Sequence, residues 1–318
     1  MESNAFGIIV KGVGGLYSVR LLNDTLAPMG TVVKCRARGS FRHEHMTPLP
    51  GDRVTLVYSE EENKKGKDAT DLVIDRIEER RNALIRPPMA NLDVLFVTLA
   101  AAAPIPILTT VDKLIAIAEF NRIEPVIVVT KSDLNPAYAE ELAALYRGAG
   151  FTVFVTGADR EDATEEMSRW IEEGLKGRIA AFAGASGIGK STLMNRLFPN
   201  LSLSTAEISR KIERGRHTTR QVDLFCLSDS PDCGYVADTP GFSMLDFERF
   251  DFFEKDDLPL TFREFVPHIG DCRYTKCSHT KEEGCAILQA VKEGKISSSR
   301  HGSYLELHET LKKKKKWN

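Results

Sequence analysis

Long hydrophobic runs are missing from this sequence of 318 residues. The longest apolar stretch, around Leu92 to Leu108, is broken by Thr98, Pro104 and Pro106. A membrane-spanning helix needs about 18 or more apolar residues in a row, so no membrane partner is expected. The first residues, MESNAFGIIVKG, have no basic flank followed by a longer apolar stretch and do not read as a signal peptide. Cysteine is scarce as well. Of six in the chain, half lie within Cys272–Cys285, which argues against a disulfide framework and for a reducing compartment with a local metal site. The cytoplasm is the expected location. Charge of one sign is also absent: 43 basic against 45 acidic residues leave a net charge of −2. That balance excludes no partner, because a nucleic-acid binder needs only a local basic face. No internal repeat is present. Apolar residues at 42% and charged ones at 28% are the composition of a globular chain with room for about two or three domains, which excludes wholesale disorder.

The first eighty residues read as short strands: Gly7–Val10, Leu16–Leu22, Thr31–Cys35, Arg53–Tyr58 and Leu72–Ile77. Turn chemistry separates them, at Gly14-Gly15, Asn23-Asp24, Pro48–Gly51 and a polar loop from Glu60 to Asp68. Five strands at this spacing fit a small barrel, with the oligonucleotide-binding (OB) fold as first candidate and other small barrels left open. From about residue 83, near-continuous apolar runs (Asp93–Thr98, Pro125–Thr130, Phe151–Thr156, Ile179–Gly184) alternate with helical stretches (Thr110–Asn121, Pro136–Gly148, Ala163–Leu175). That alternation predicts a parallel sheet covered on both faces. Val222–Leu227 and Tyr235–Asp238 suit an antiparallel hairpin, and a final segment adds helices over Ala286–Glu293 and Ser303–Lys313. The expected organisation is therefore multidomain: an OB-type β-barrel over 1–82, an α/β P-loop domain over 83–245 and a mostly helical C-terminal domain over 246–318.

The strongest motif is Gly184-Ala185-Ser186-Gly187-Ile188-Gly189-Lys190-Ser191-Thr192, a P-loop directly after an apolar strand. Its glycines let successive backbone N–H groups curl around phosphates, Lys190 supplies charge to the β/γ oxygens, and the Ser191 hydroxyl sits where Mg²⁺ is held. A helix over Thr192–Phe198 adds its N-terminal dipole. Two further motifs choose the base. Asp238-Thr239-Pro240-Gly241 has the DxxG form, in which Asp238 reaches Mg²⁺ through water and the Gly241 amide faces the γ-phosphate. Thr130-Lys131-Ser132-Asp133 has the [NT]KxD form. There Asp133 can accept two hydrogen bonds from guanine N1–H and the 2-amino group while the Lys131 stem covers the ring. Adenine offers neither donor, and bonds to a charged group are worth about 1.5–3 kcal/mol each. The competing reading makes Ser132 or Asp133 an ordinary helix N-cap.

TKSD precedes the P-loop here, whereas most GTPases have the reverse order. A doubly wound sheet whose termini lie close can be cut and rejoined without changing its contacts. The strands then run as 4-5-6-1-2-3 of the ordinary fold, and the segment after Asp238 leads into the C-terminal domain. That domain carries Cys272, Cys277, His279 and Cys285. Three thiolates and one imidazole suit a closed, structural tetrahedral Zn²⁺ site, one ion per chain, where metal replaces a core. Cys35, Cys226 and Cys233 lie in or beside predicted strands and read as plain small residues.

The permuted order, GASGIGKST, Gly215-Arg216-His217-Thr218-Thr219, DTPGF and the cysteine cluster together resemble the RsgA family of circularly permuted GTPases that depend on the small ribosomal subunit. The resemblance covers nearly the whole chain. It implies a barrel, a GTPase domain and a zinc domain, hydrolysis of GTP to GDP stimulated by the small subunit, and late maturation of that subunit through rRNA contact, by a monomer. Between the P-loop helix and the hairpin, Ser204–Arg220 reads as a switch, with Thr219, or failing that Thr218, at the Mg²⁺ and γ-phosphate. Phe242 stands where a Ras-like enzyme has its water-orienting Gln. His217 is the candidate substitute, since imidazole titrates near neutrality; a contact to rRNA is the alternative. The catalytic set is thus His217, Lys190 and Thr219. The last guanine motif falls near Thr156-Gly157-Ala158, where only its general shape survives. Arg36, Arg38, Phe41 and Arg42 before Pro48, and Lys312–Lys316 at the end, are candidate RNA contacts or else solvated segments. Two other classes compete: a P-loop ATPase or kinase on a small molecule, and an RNA-binding module with a degenerate nucleotide site.

Overall fold

The computed structural model describes residues 4–25, 27–43, 46–58, 72–85, 87–199, 222–228, 230, 232–238 and 254–313. The chain separates into two compact units, one of residues 1–93, 170–181 and 198–242, the other of 94–169, 182–197 and 243–318. This grouping cuts across the sequence boundaries at 82 and 245. None of the described helices is long and apolar enough to cross a membrane.

In the first unit, β1 (Ala5–Val13), β2 (Leu16–Leu21), β3 (Val32–Ala37), β4 (Arg53–Tyr58) and β5 (Leu72–Ile77) close into a barrel. Antiparallel pairs join β1 to β2, β2 to β3, β5 to β4 and β4 back to β1, while β3 and β5 run parallel. Alternation along the strands sends Val19, Leu21, Val54, Leu56 and Ile74 inward, where they pack with Ile9 and Cys35. Cys35 is the small core residue its position suggests, and burial raises its thiol pKa to about 12.

Phe41 corrects an expectation. It sits on a single helical turn, α1 (Ser40–His43), and plugs the barrel core rather than facing RNA. Arg36 lies in β3 and Arg38 pairs with Asp75; the Arg42 side chain lies outside the described residues.

Next comes a small hairpin that alternation does not reveal, β6 (Ala83–Ile85) with β7 (Pro88–Ala90). Both of its strands are too short to show a period.

The same unit holds the start of β11 (Ile179–Ala183), which runs parallel to β13 (Tyr235–Asp238). β13 pairs antiparallel with β12 (Asp223–Cys226), the expected hairpin. Cys226 and Cys233 are joined by a disulfide that closes the mouth of the hairpin turn. They are not plain small residues. The seven-residue separation across an antiparallel turn brings their Cα atoms to 6.0 Å, within bridging reach.

The second unit is built on β8 (Val94–Ala100), β9 (Glu124–Thr130) and β10 (Thr152–Val155), all parallel and neighbours in chain order. Every residue of β8 is buried. Each buried Val, Leu or Phe contributes about 1.5–3 kcal/mol, so this sheet is held by burial on both faces. The connections are α2 (Leu108–Phe120) and α3 (Pro136–Gly148); α4 (Glu161–Gly174) follows β10 and β11 leads to α5 (Lys190–Leu197).

The C-terminal segment forms two short 3₁₀ turns (Leu258–Thr261, Val266–His268), then α6 (Ala286–Lys292) and α7 (Ser298–Lys313). Helix α7 starts five residues earlier than its apolar period suggests. Its first turns bury Arg300 and His301, positions where a period count looks for apolar side chains.

Candidate functional site

The P-loop begins where β11 ends. Gly184 has φ of 143°, and a Cβ there would collide with the Thr98 carbonyl oxygen and lie 2.5 Å from Ile188 Cδ1. Only glycine lets the chain turn so close to β8. The loop then curls over its own lysine: Lys190 Nζ donates to the carbonyls of Gly184 (2.7 Å) and Ala185 (2.6 Å). Burial lowers the Lys190 pKa from its ordinary value. Ser191 and Thr192 follow on the exposed first turn of α5.

The TKSD turn lies against this loop. The Thr130 hydroxyl donates to the Ile188 carbonyl at 2.5 Å, and Lys131 Nζ donates to Gly187 (2.8 Å) and Ala103 (2.6 Å) carbonyls. Lys131 adopts a left-handed backbone conformation, φ 58°, at the point where β9 gives way to the turn. Ser132 is buried and its N–H donates to the Thr156 carbonyl. Asp133 stays half-exposed, with Oδ1 accepting the Ala158 N–H at 3.0 Å. Neither Ser132 nor Asp133 caps the following helix. Asn135 does so, its side chain accepting from the Tyr138 N–H with Pro136 in the first turn. The carboxylate of Asp133 is therefore free of capping duty. The structure thus brings together Thr130, Lys131, Ser132 and Asp133 with Gly184 to Lys190, two motifs in reversed order along the chain.

Asp238 ends β13; its side chain lies outside the described residues, as do Gly241, Phe242, His217, Thr218 and Thr219.

A model of the RsgA GTPase family matches residues 77–248, and one of the RsgA N-terminal domain matches residues 6–67. The first of these spans more than half of the chain. The chain belongs to the RsgA GTPase family. A family member from Alkaliphilus metalliredigens, named small ribosomal subunit biogenesis GTPase RsgA, is 37% identical over 98% of this chain and 99% of its own length. One of the same name from Bacillus pumilus is 38% identical over 97% and 98%. Among solved structures, YjeQ from Thermotoga maritima superposes with a TM-score of 0.78 at 30% identity, covering 98% of this chain and all of that one. YloQ, described as a circularly permuted GTPase, gives 0.73 at 31% identity over 99% and 97%. Both superpositions run over nearly the whole chain, and the chain is a GTPase of the circularly permuted type.

In the C-terminal segment, Cys272, Cys277, His279 and Cys285 place one ligand atom each within 4.8 Å of one another. A metal ion with bonds near 2.3 Å to sulfur and 2.0–2.1 Å to nitrogen at tetrahedral angles sets S···S at about 3.8 Å and S···N at about 3.5 Å. Cys272 Sγ and Cys285 Sγ are 3.9 Å apart, and each lies 3.5 Å from His279 Nδ1. Those three ligand atoms already stand near tetrahedral spacing, and with Cys277 the cluster could hold a metal ion. Burial lowers the His279 pKa, favouring the neutral ring that ligates.

Surrounding groups fix the ligand loop. The His279 carbonyl meets His301 Nε2 at 2.9 Å, and the Ser278 carbonyl accepts from Tyr304 O–H at 2.7 Å, both from α7. Glu282 accepts the N–H groups of Ser278, Thr280 and Lys281. Burial opposes its ionisation, but hydrogen bonds from Ser278 and the loop backbone outweigh that and hold its pKa at about 2. On its other side α7 sends Arg300 into a buried site with Asp112 of α2 and Glu264, a cluster that no motif announces.

Proposed function

We propose that this chain binds GTP between the P-loop and the TKSD turn, hydrolyses it to GDP and phosphate, and acts in late assembly of the small ribosomal subunit, which stimulates the reaction. One observation carries the nucleotide reading: Thr130 and Lys131 bond directly to the carbonyls of Ile188 and Gly187. A base-reading turn and a phosphate-reading loop thus form one surface. The names of the family's members supply the ribosomal setting.

In this reading the amides from Gly184 to Gly189 and the Lys190 ammonium take the phosphates, with Ser191 and Thr192 at their edge. Asp133 reads guanine and Lys131 covers the ring. Mg²⁺, when bound with GTP, neutralises phosphate charge; the Ser191 hydroxyl, the Asp238 carboxylate and Thr219 are the groups that would hold it. Gly241 would report the γ-phosphate. The barrel (1–82) and C-terminal domain (246–318) flank the GTPase domain (83–245) and meet rRNA, and the protein works as a cytoplasmic monomer.

The test is GTP against ATP turnover, with and without small subunits. GTP preference with stimulation supports the reading, ATP preference points to a small-molecule kinase, and no turnover under any condition points to a degenerate site. In the same assay His217→Ala should leave GTP affinity nearly intact and lower stimulated turnover at least about tenfold, a floor beneath the roughly 10²–10⁴-fold that a positioned general base contributes. Unchanged turnover would remove His217 from the mechanism.

The ion in the Cys₃His cluster is proposed to be Zn²⁺, which matches three thiolates and an imidazole in softness and geometry. Metal analysis of protein purified without chelator should find about one zinc per chain. Cys285→Ser should lose it; retention of a full equivalent would place the metal elsewhere.

A further inference from the structure

We infer that Arg196 is a positioning residue for base selection, acting from the last turn of the P-loop helix on the loop behind Asp133. The inference rests on the base-reading role proposed above for Asp133. Arg196 Nη1 donates to the Gly157 carbonyl at 3.0 Å. The N–H of the very same peptide unit, that of Ala158, donates to Asp133 Oδ1 at 3.0 Å. In a trans peptide the C=O and N–H point in opposite directions. One peptide plane is therefore clamped from both sides, by a guanidinium at its oxygen and by the candidate base-reading carboxylate at its nitrogen.

Gly157 has no side chain to hold this plane. A Cβ at that position would lie 2.6 Å from Ser132 Oγ and 2.9 Å from the Asp133 nitrogen, so the loop must lie flat on the TKSD turn and stay bare. Rotation of the peptide is opposed by the two hydrogen bonds just named and by a longer one, from the Arg160 N–H to the same Gly157 oxygen at 3.4 Å; removing the Arg196 bond leaves the oxygen with that longer, uncharged donor alone. A charged donor on the oxygen also polarises the N–H toward Asp133, strengthening the bond that fixes its carboxylate. Arg196 shares the eight-residue helix α5 with Lys190. Phosphate end and base end are thereby referred to one rigid element.

The measurement is the dissociation constant for GDP and for IDP, whose hypoxanthine lacks the 2-amino group, in wild type, Arg196→Ala and Arg196→Lys, with a thermal melt of each. Loss of one charge-assisted bond in Arg196→Ala should weaken GDP by about tenfold and IDP by about threefold or less, so that selectivity narrows. Arg196→Lys, which keeps a charged donor, should recover most of the GDP affinity, and the melting temperatures should agree within about 2 °C, as for a surface substitution. Equal losses for both nucleotides, or no loss for either, would overturn the inference. So would a melting shift that tracked the affinity loss without narrowing selectivity. Asp133→Asn, run in parallel, separates the two levels. If it alters selectivity while Arg196→Ala does not, only the role of Arg196 falls. If Asp133→Asn also leaves the GDP to IDP ratio at its wild-type value, the base-reading proposal falls and takes this inference with it.

Discussion

Replacing Asp133 by asparagine is expected to weaken GDP binding by about a hundred-fold or more, and to raise the preference for xanthosine diphosphate over GDP. The two carboxylate oxygens offer about four acceptor sites. One of them already takes the Ala158 N–H, which leaves the outward side of the group for the base. Guanine presents two donors there, N1–H and the 2-amino group. Each hydrogen bond to a charged acceptor is worth about 1.5–3 kcal/mol, and every 1.4 kcal/mol is a factor of ten. Asparagine keeps one acceptor, which Ala158 can retain, but turns the other oxygen into an NH₂ donor that opposes the 2-amino group. Xanthine has a carbonyl at that carbon and accepts from the amide. Competition binding with GDP and xanthosine diphosphate on the wild-type and Asp133→Asn proteins reads both effects at once. Equal affinities of the two proteins for GDP would remove Asp133 from base recognition, while loss of GDP without gain of xanthosine selectivity would assign it a purely structural part.

Much of the architecture can be read in the chain because it is written in period and punctuation. Strands β4, β5 and β13 and helix α3 have the bounds that apolar alternation and flanking Gly, Pro and Asn imply. The P-loop is legible for a different reason: its glycines are demanded by a close approach to backbone, as at Gly184 against Thr98. What local patterns miss shares a physical cause. Arg300 is buried where a helix period expects an apolar side chain, and its partners Asp112 and Glu264 come from segments far along the chain. No local pattern encodes such a long-range ion cluster. Arg196 likewise looks like a solvated last-turn cation until its partner, a backbone carbonyl, is seen. Reading Phe41 by its basic neighbours overlooks its size: phenylalanine is among the residues most often fully buried, and here it joins the barrel core. The Cys226–Cys233 bridge does carry a signal. One cysteine ends β12 and the other lies seven residues on, just before β13, so a tight turn between the strands brings the two within reach.

The buried cluster around Arg300 carries the largest effect expected on stability. Arg300 and Asp112 are each 1% exposed, and their bond is 2.5 Å; Arg300 Nε reaches Glu264 Oε1 at 2.7 Å. The guanidinium also stacks 4.5 Å from the Phe262 ring centroid, and Tyr146 O–H donates to Asp112. Arg300→Met fills similar volume but leaves two carboxylates buried without their cation. Breaking a buried pair from one side costs about 3–5 kcal/mol, which for a chain of this size lowers the melting temperature by about 5–10 °C. The pH dependence has a definite sign. Burial already raises the Asp112 pKa, and the Arg300 charge is what opposes that rise. Without Arg300 the folded-state pKa climbs further above its unfolded value. A carboxyl so raised favours the folded state below its unfolded pKa and works against it as pH rises past that range. The penalty in Arg300→Met should therefore be smaller at pH 5 than at pH 8 in urea unfolding. Adding Asp112→Asn and Glu264→Gln should restore much of the loss, since neutral amides no longer need the cation. A loss that is small and identical at both pH values would mean that water, rather than Arg300, balances these carboxylates, and that α7 is held to α2 by its apolar contacts alone.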